Sequence, residues 1–140
     1  MSLFISTAST QTVSTKSDTT SNSRTIILDG ESLKAKEYDG FTTWVCKAHA
    51  SNDDSIVVEV GIFVNPDFKE RGFILYNGEN YGEYAEYKRQ GLNSRWNWDL
   101  NDEHSYNYSL IMESDGTSYY LDLTNDSATV SETFRCTKSK

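Results

Sequence analysis

The chain has 140 residues, a length typical of one domain, with 36% hydrophobic residues and a formal net charge of −8. Because binding to a phosphate backbone requires lysine and arginine, 13 basic against 21 acidic residues lead us to expect no nucleic-acid partner. No stretch approaches the ~20 apolar residues of a membrane-spanning helix, so we also expect no membrane span.

The N-terminal part of the chain differs in composition from the rest. Residues 6–23 are dominated by serine and threonine, which bury too little apolar area to offset the cost of ordering. We therefore predict a tail or linker over residues 1–23 and a single β domain over residues 24–140. Threonine and valine in the tail favour an added edge strand on a neighbouring chain, which would give an oligomer.

From residue 24 onward, apolar and polar residues alternate with the period of two that is typical of strands. A short helical turn is expected near residues 31–38. Asp115 and Gly116 form the strongest hairpin signal, because both residue types tolerate a positive φ. The predicted strands cover residues 25–29, 41–50, 55–64, 71–77, 83–89, 95–100, 106–113, 118–124 and 128–137.

The connections between these strands are too short for a βαβ crossover. We therefore predict an all-β fold, an antiparallel meander of eight or nine short strands that closes into a barrel or folds into a two-sheet sandwich. Alternation places one residue set on the inward face: Ile56, Val58, Val60, Ile62, Val64, Trp96, Trp98, Leu100, Val130, Phe134 and Cys136.

The two cysteines lie on the first long strand and on the last strand. Both Cys46 and Cys136 fall on the inward face, and a closed meander makes these two strands neighbours. We predict a disulfide across this seam, which would close a loop of about 90 residues and contribute roughly 4–5 kcal/mol. The alternative is a pair of buried free thiols.

A disulfide would indicate an oxidising compartment. We therefore expect an extracytoplasmic location, periplasmic or secreted, after removal of a signal, with a cytoplasmic location as the alternative. An eight-stranded meander with one seam disulfide resembles, in architecture, the calycin-type barrels and the small periplasmic lysozyme inhibitors. This resemblance implies a fold and not an activity.

Catalytic and metal-binding patterns are weak in this sequence. His49 and His104 lie in no recognisable motif, and two scattered histidines with two cysteines do not supply a zinc site. The polar loops 51–55, 101–103 and 125–127 offer oxygens to calcium, but turn chemistry explains the same residues. We predict no catalytic residue, no metal and no cofactor.

Tyrosines concentrate in the central hairpins of the predicted sheet. Tyr76, Tyr81, Tyr84 and Tyr87 are predicted as a surface that binds a ligand, and the alternative is that they form stabilising cross-strand pairs. The sequence thus favours a non-enzymatic module that binds an unknown small molecule or protein. The alternative is a protein inhibitor that acts through the exposed loop 114–118, and an enzyme of unknown type ranks third.

Overall fold

The computed structural model describes residues 23–49, 57–68, 70–124 and 129–139. Apart from Ser23, the predicted tail lies outside the described residues. Among the residues described, no helix has the length and apolar character needed to cross a membrane. In these ranges the chain forms two 3-10 turns, Ala35–Tyr38 and Pro66–Phe68, and ten strands: β1 (Thr25–Leu28), β2 (Glu31–Lys34), β3 (Phe41–Ala48), β4 (Val57–Phe63), β5 (Arg71–Tyr76), β6 (Tyr81–Gln90), β7 (Asn93–Leu100), β8 (Tyr106–Met112), β9 (Thr117–Asp122) and β10 (Thr129–Lys138).

Strands β3 to β10 form a closed antiparallel barrel. Each strand pairs with the next one in sequence, and β10 returns to pair with β3. The all-β antiparallel meander predicted from the sequence is confirmed, and the barrel is the alternative that the chain adopts. Closure leaves none of these eight strands with a free edge, which removes the hazard of edge-to-edge association.

The hairpin of β1 and β2 lies outside the barrel. Strand β1 pairs with β6 in parallel, with Ile27 opposite Tyr81 and Leu28 opposite Gly82. This parallel pairing is a difference from the purely antiparallel sheet expected. The helical turn predicted near residues 31–38 occurs only in its second half, as the 3-10 turn Ala35–Tyr38, because residues 31–34 form β2.

The fold has two hydrophobic clusters, one inside the barrel and one outside it. The outer cluster forms where the β1–β2 hairpin and the first 3-10 turn cover the outside of β3, β4 and β5, so these strands are buried on both faces. Its buried members are Ile26, Leu28, Leu33, Ala35, Phe41, Phe63, Phe73 and Leu75. The interior cluster contains Cys46, Val58, Val60, Ile74, Ala85, Tyr87, Trp96, Trp98, Leu110, Met112, Phe134 and Cys136.

Three residues predicted to face inward are exposed instead. Val64 is 47% exposed because β4 ends at Phe63, and Leu100 is 55% exposed at the end of β7. Val130 is 52% exposed because a β-bulge between Val130 and Glu132 shifts the register of β10 against β9. A bulge inserts one residue, so the alternation before it is reversed relative to Phe134. Ile56 lies outside the described residues.

Candidate functional site

The four tyrosines predicted to bind a ligand do not share one surface. Tyr87 is buried in the barrel interior, where its hydroxyl lies 3.0 Å from Ser94 Oγ, and Tyr76 is half-buried at the edge of the same cluster. Tyr84 packs against the outer cluster, and Tyr81 is 54% exposed. Alternation along β6 separates Tyr84, which faces the outer cluster, from Tyr87, which faces the interior.

Two of these tyrosines donate hydrogen bonds to carboxylates. The Tyr76 hydroxyl donates to Glu83, and the Tyr84 hydroxyl donates to Glu31 Oε1 at 2.6 Å. Burial, reinforced by the carboxylate in each case, raises the pKa of both hydroxyls above their usual range. The Tyr76–Glu83 contact joins the adjacent strands β5 and β6, as cross-strand pairing does, whereas the Tyr84–Glu31 contact joins β6 to β2 across β1.

Three aromatic rings pack against one another at one end of the barrel. The centroid of Trp98 lies 5.7 Å from that of Tyr120 and 6.1 Å from that of Tyr108, and the two tyrosine centroids are 5.9 Å apart. Burial is the main cause of a raised pKa at Tyr120. The three rings therefore pack together on β7, β8 and β9 at this end of the barrel.

The middle of the barrel is filled by Trp96. Its side chain is fully buried, and its Nε1 donates to the carbonyl oxygen of Gly61 at 2.9 Å. Gly72 faces the same indole, and a Cβ built there would lie 2.8 Å from Trp96 Nε1. The indole therefore occupies the central section of the barrel, and a ligand must bind at an end of it.

The end opposite the packed rings holds an open cavity of about 430 Å³. Its inner part is formed by side chains that point into the barrel, and its outer part by charged residues and a turn. The inner residues are Trp44, Ser94, Met112 and Cys136, and the outer residues are Arg89, Leu92, Glu113, Ser114, Asp115, Gly116 and Lys138. We call this space the end cavity.

Cross-strand register explains why these residues meet. Arg89 on β6 lies opposite Ser94 on β7, which in turn lies opposite Met112 on β8. On the other side of the cavity, Lys138 on β10 lies opposite Trp44 on β3. The end cavity is therefore assembled from strands that are distant in sequence and adjacent around the barrel.

The turn between β8 and β9 forms a fixed wall of the end cavity. Asp115 Oδ1 accepts a hydrogen bond from the Thr117 backbone N–H at 2.9 Å, and Gly116 N–H donates to the Glu113 carbonyl at 2.9 Å. The Gly116 carbonyl accepts from Cys136 N–H at 2.8 Å, which attaches the turn to β10. The Thr117 bonds hold the pKa of the Asp115 carboxyl below its usual value.

Cys46 and Cys136 form the disulfide predicted across the barrel seam. The two residues face each other in the β3–β10 ladder with Cα atoms 3.9 Å apart. The Ser118 hydroxyl lies 3.0 Å from Cys136 Sγ, and Cys136 also lines the end cavity. The covalent link therefore holds together the two strands that carry Trp44 and Lys138.

The two histidines of the chain lie away from the end cavity. His49 and His104 are exposed and are not among its lining residues. In the described ranges, no group of three or more His, Cys, Asp or Glu side chains is placed to hold a metal. Of the three polar loops, 101–103 is an Asx turn, with Asn101 Oδ1 accepting from Glu103 N–H at 2.9 Å, and loops 51–55 and 125–127 lie outside the described residues.

Sequence reasoning missed the cavity residues Trp44, Arg89, Met112 and Lys138 as a set. A signal for the two cations was present. Arg89 continues the inward alternation of Ala85 and Tyr87, and Lys138 continues that of Phe134 and Cys136. A basic residue at an inward position of a strand end indicates the mouth of a barrel.

Comparisons with known proteins leave the family open. No protein-family model matches the sequence, and neither a curated protein nor a solved structure gives a significant match.

Proposed function

We propose that this chain is a non-enzymatic binding protein that holds a small amphipathic molecule in the end cavity. The observation that carries the proposal is the pairing of an inner surface of Trp44, Met112 and the disulfide with an outer ring of charged side chains. Sites for small molecules are commonly concave, mostly apolar and about 300–1,000 Å³ in volume, with a few polar groups that fix orientation. The volume of the end cavity falls in this range, and its lining is divided about equally between apolar and polar surface, with the apolar side chains innermost.

The side chains at the cavity favour binding over chemistry. Cys136 is held in a disulfide and supplies no thiolate, and the two histidines lie elsewhere on the surface. Ser94 Oγ contacts the Tyr87 hydroxyl, which is a weak partner for activating a serine nucleophile. The aromatic and apolar inner surface, in contrast, suits the body of a ligand.

Methionine methyl signals in an NMR spectrum test this proposal. The chain has two methionines, so the signal of Met112 is readily assigned. We expect at least one member of a panel of neutral, anionic and cationic naphthalene compounds to shift that signal saturably. Ser114→Trp, at an exposed wall position, should block the shift, and Ser32→Trp on β2 serves as its control. If no compound of any charge shifts the Met112 signal, the proposal is rejected.

A second candidate function is inhibition of a basic partner protein. The observation in its favour is the turn over Glu113, Ser114 and Asp115, which is exposed and acidic yet held by the hydrogen bonds of Asp115 and Gly116. A rigid loop loses little conformational entropy on binding, and opposite charge speeds encounter with a basic target.

Lysozyme, a basic enzyme, is a suitable probe for the second candidate. We expect Asp115→Asn to weaken inhibition while preserving the turn, because an asparagine oxygen accepts the same hydrogen bond. Asp122→Asn is the matched control, since Asp122 accepts from Thr124 N–H at 2.9 Å in a similar turn outside the cavity. Equal effects of the two variants would rule out the turn as the inhibitory element.

A further inference from the structure

We infer that the end cavity binds an organic anion with one compact charge, a carboxylate or sulfonate, attached to an aromatic or alkyl body. This inference rests on the proposed function and specifies its ligand class. It follows from the two cations of the cavity, from the position of its acidic residues, and from the inner aromatic surface.

Arg89 and Lys138 line the end cavity without a carboxylate partner. Among the described residues, ion pairs join Arg24 to Glu59 and Lys88 to Glu86, and neither cavity cation takes part in one. The guanidinium of Arg89 makes only a long contact of 3.5 Å with the Gly91 carbonyl. Most other lysines and arginines of the described residues also form no ion pair, but these two line the same cavity. Both remain available to a ligand.

The two acidic residues of the cavity, Glu113 and Asp115, carry as much formal charge as Arg89 and Lys138 but differ in their contacts. Asp115 already accepts the Thr117 N–H, and Arg135, outside the cavity lining, helps to lower its pKa. Its carboxylate stays ionised and is engaged by its own turn and by Arg135, while Glu113 is exposed at the rim. The formal charges of the lining sum to zero, so the preference for an anion depends on the N–H donors of Arg89 and Lys138, which no ion pair among the described residues occupies.

The overall negative charge of the chain limits the number of charges that the anion can carry. A formal net charge of −8 repels polyanions over distances comparable with the Debye length, about 10 Å at moderate salt. A ligand with one charge meets much less of this repulsion and gains the local contact with Arg89 and Lys138. The guanidinium fork of an arginine matches the two oxygens of a carboxylate or the oxygens of a sulfonate.

The inner surface specifies the rest of the ligand. The half-buried Trp44 packs edge-on against Trp96, with ring centroids 5.6 Å apart, and also lines the cavity. Met112 adds a flexible thioether that adapts to a ring or an alkyl chain. A body that stacks on this surface would place its charged group toward the outer part of the cavity, where Arg89 and Lys138 lie.

A pair of probes that differ in charge tests the inference. The anion is 8-anilino-1-naphthalenesulfonate, and the neutral analogue is N-phenyl-1-naphthylamine, which lacks the sulfonate. We expect the anion to bind at least tenfold more tightly, with its site confirmed by the Met112 methyl shift. Arg89→Gln and Lys138→Gln should each weaken the anion about fivefold, the effect of an exposed ion pair worth about 1 kcal/mol, and leave the neutral probe unchanged. Lys47→Gln, on the outside of β3, is the matched control.

The outcomes separate this inference from the proposed function. Equal binding of both probes at Met112, unaffected by either substitution, overturns the anion inference and retains the binding function. Tighter binding of a naphthyl ammonium also overturns the inference, because it would show that Glu113 and Asp115 dominate. The absence of a Met112 shift with the anionic, neutral and cationic probes rejects both proposals.

Discussion

The indole Nε1 of Trp96 donates a hydrogen bond to the carbonyl oxygen of Gly61, 35 residues earlier in the chain, at a distance of 2.9 Å. This bond crosses from β7 to β4 and fixes one of the two buried tryptophans of the barrel interior. Because the bond satisfies the indole N–H, the ring can remain fully buried without an unpaired donor. This indole, which we call the plug, fills the middle of the barrel, and the end cavity lies beyond it.

Gly72→Ala should disrupt the plug. Its Cβ would lie 2.6 Å from the Gly61 oxygen and 2.8 Å from Trp96 Nε1, so the donor and acceptor must separate. We expect a loss of about 2–4 kcal/mol from overpacking and the broken bond, measured by urea unfolding. Gly91→Ala is the control, because its Cβ meets nothing within 4 Å and only the positive φ of 63° opposes it. That strain costs about 1 kcal/mol, and an equal loss in the two variants would contradict the packing argument.

Removal of the disulfide should destabilise the barrel strongly. The bond links positions 90 residues apart, and in the chain-entropy model a loop of this length contributes about 4–5 kcal/mol. We expect Cys46→Ala/Cys136→Ala to lower the free energy of unfolding by about 4 kcal/mol. The same loss should appear when the wild type is measured in reductant, and reductant should not affect the double variant. A loss below about 1 kcal/mol would show that the β3–β10 ladder closes the barrel unaided.

The ion pair of Arg24 and Glu59 should be sensitive to removal of one partner. Arg24 bonds both carboxylate oxygens of Glu59, at 2.7 and 2.8 Å, and Glu59 is buried. Arg24→Ala leaves a buried charge uncompensated, at a cost of about 3–5 kcal/mol. Lys88→Ala removes an exposed contact of 3.8 Å and should cost less than about 1 kcal/mol. Urea unfolding measures both, and similar values would show that Glu59 is solvated in the variant.

Alkaline pH should destabilise the protein partly through Tyr76. Burial and the Glu83 carboxylate raise the pKa of this hydroxyl in the folded state. Its contribution is complete below pH ~10, the pKa of an unfolded tyrosine, and is lost as pH rises toward the folded pKa. In that window Tyr76→Phe should reduce the fall in unfolding free energy by about 1.4 kcal/mol per pH unit. Parallel wild-type and variant profiles above pH 10 would contradict this assignment.

The bulge in β10 leaves one apolar residue of this strand exposed while another is buried, so their substitution should affect stability differently. Phe134→Ala should cost about 3–5 kcal/mol, because the ring is buried in the interior cluster. Val130→Ser should change the free energy of unfolding by less than about 0.5 kcal/mol, because Val130 is exposed beyond the bulge. A large loss in Val130→Ser would place its side chain in the core and restore the simple alternation.

The sequence alone determined the fold class and most strand positions. Alternation of apolar and polar residues follows from the pleat of a strand, so Trp96, Trp98, Phe134 and Cys136 were correctly assigned to the interior. Short connections exclude parallel crossovers, which led to the meander. The inward position of one cysteine on the first long strand and one on the last then predicted the disulfide.

Tertiary structure decided the strand register, the docking of the β1–β2 hairpin and the assembly of the end cavity, which a local sequence pattern does not specify. The bulge that exposes Val130 depends on the pairing of β10 with β9, and the second buried face of β3 to β5 depends on where the β1–β2 hairpin docks. Arg89 and Lys138 are 49 positions apart in the sequence. They line the same end cavity only because the barrel closes. Periodicity reports which face a side chain occupies, while closure and register determine which side chains share that face.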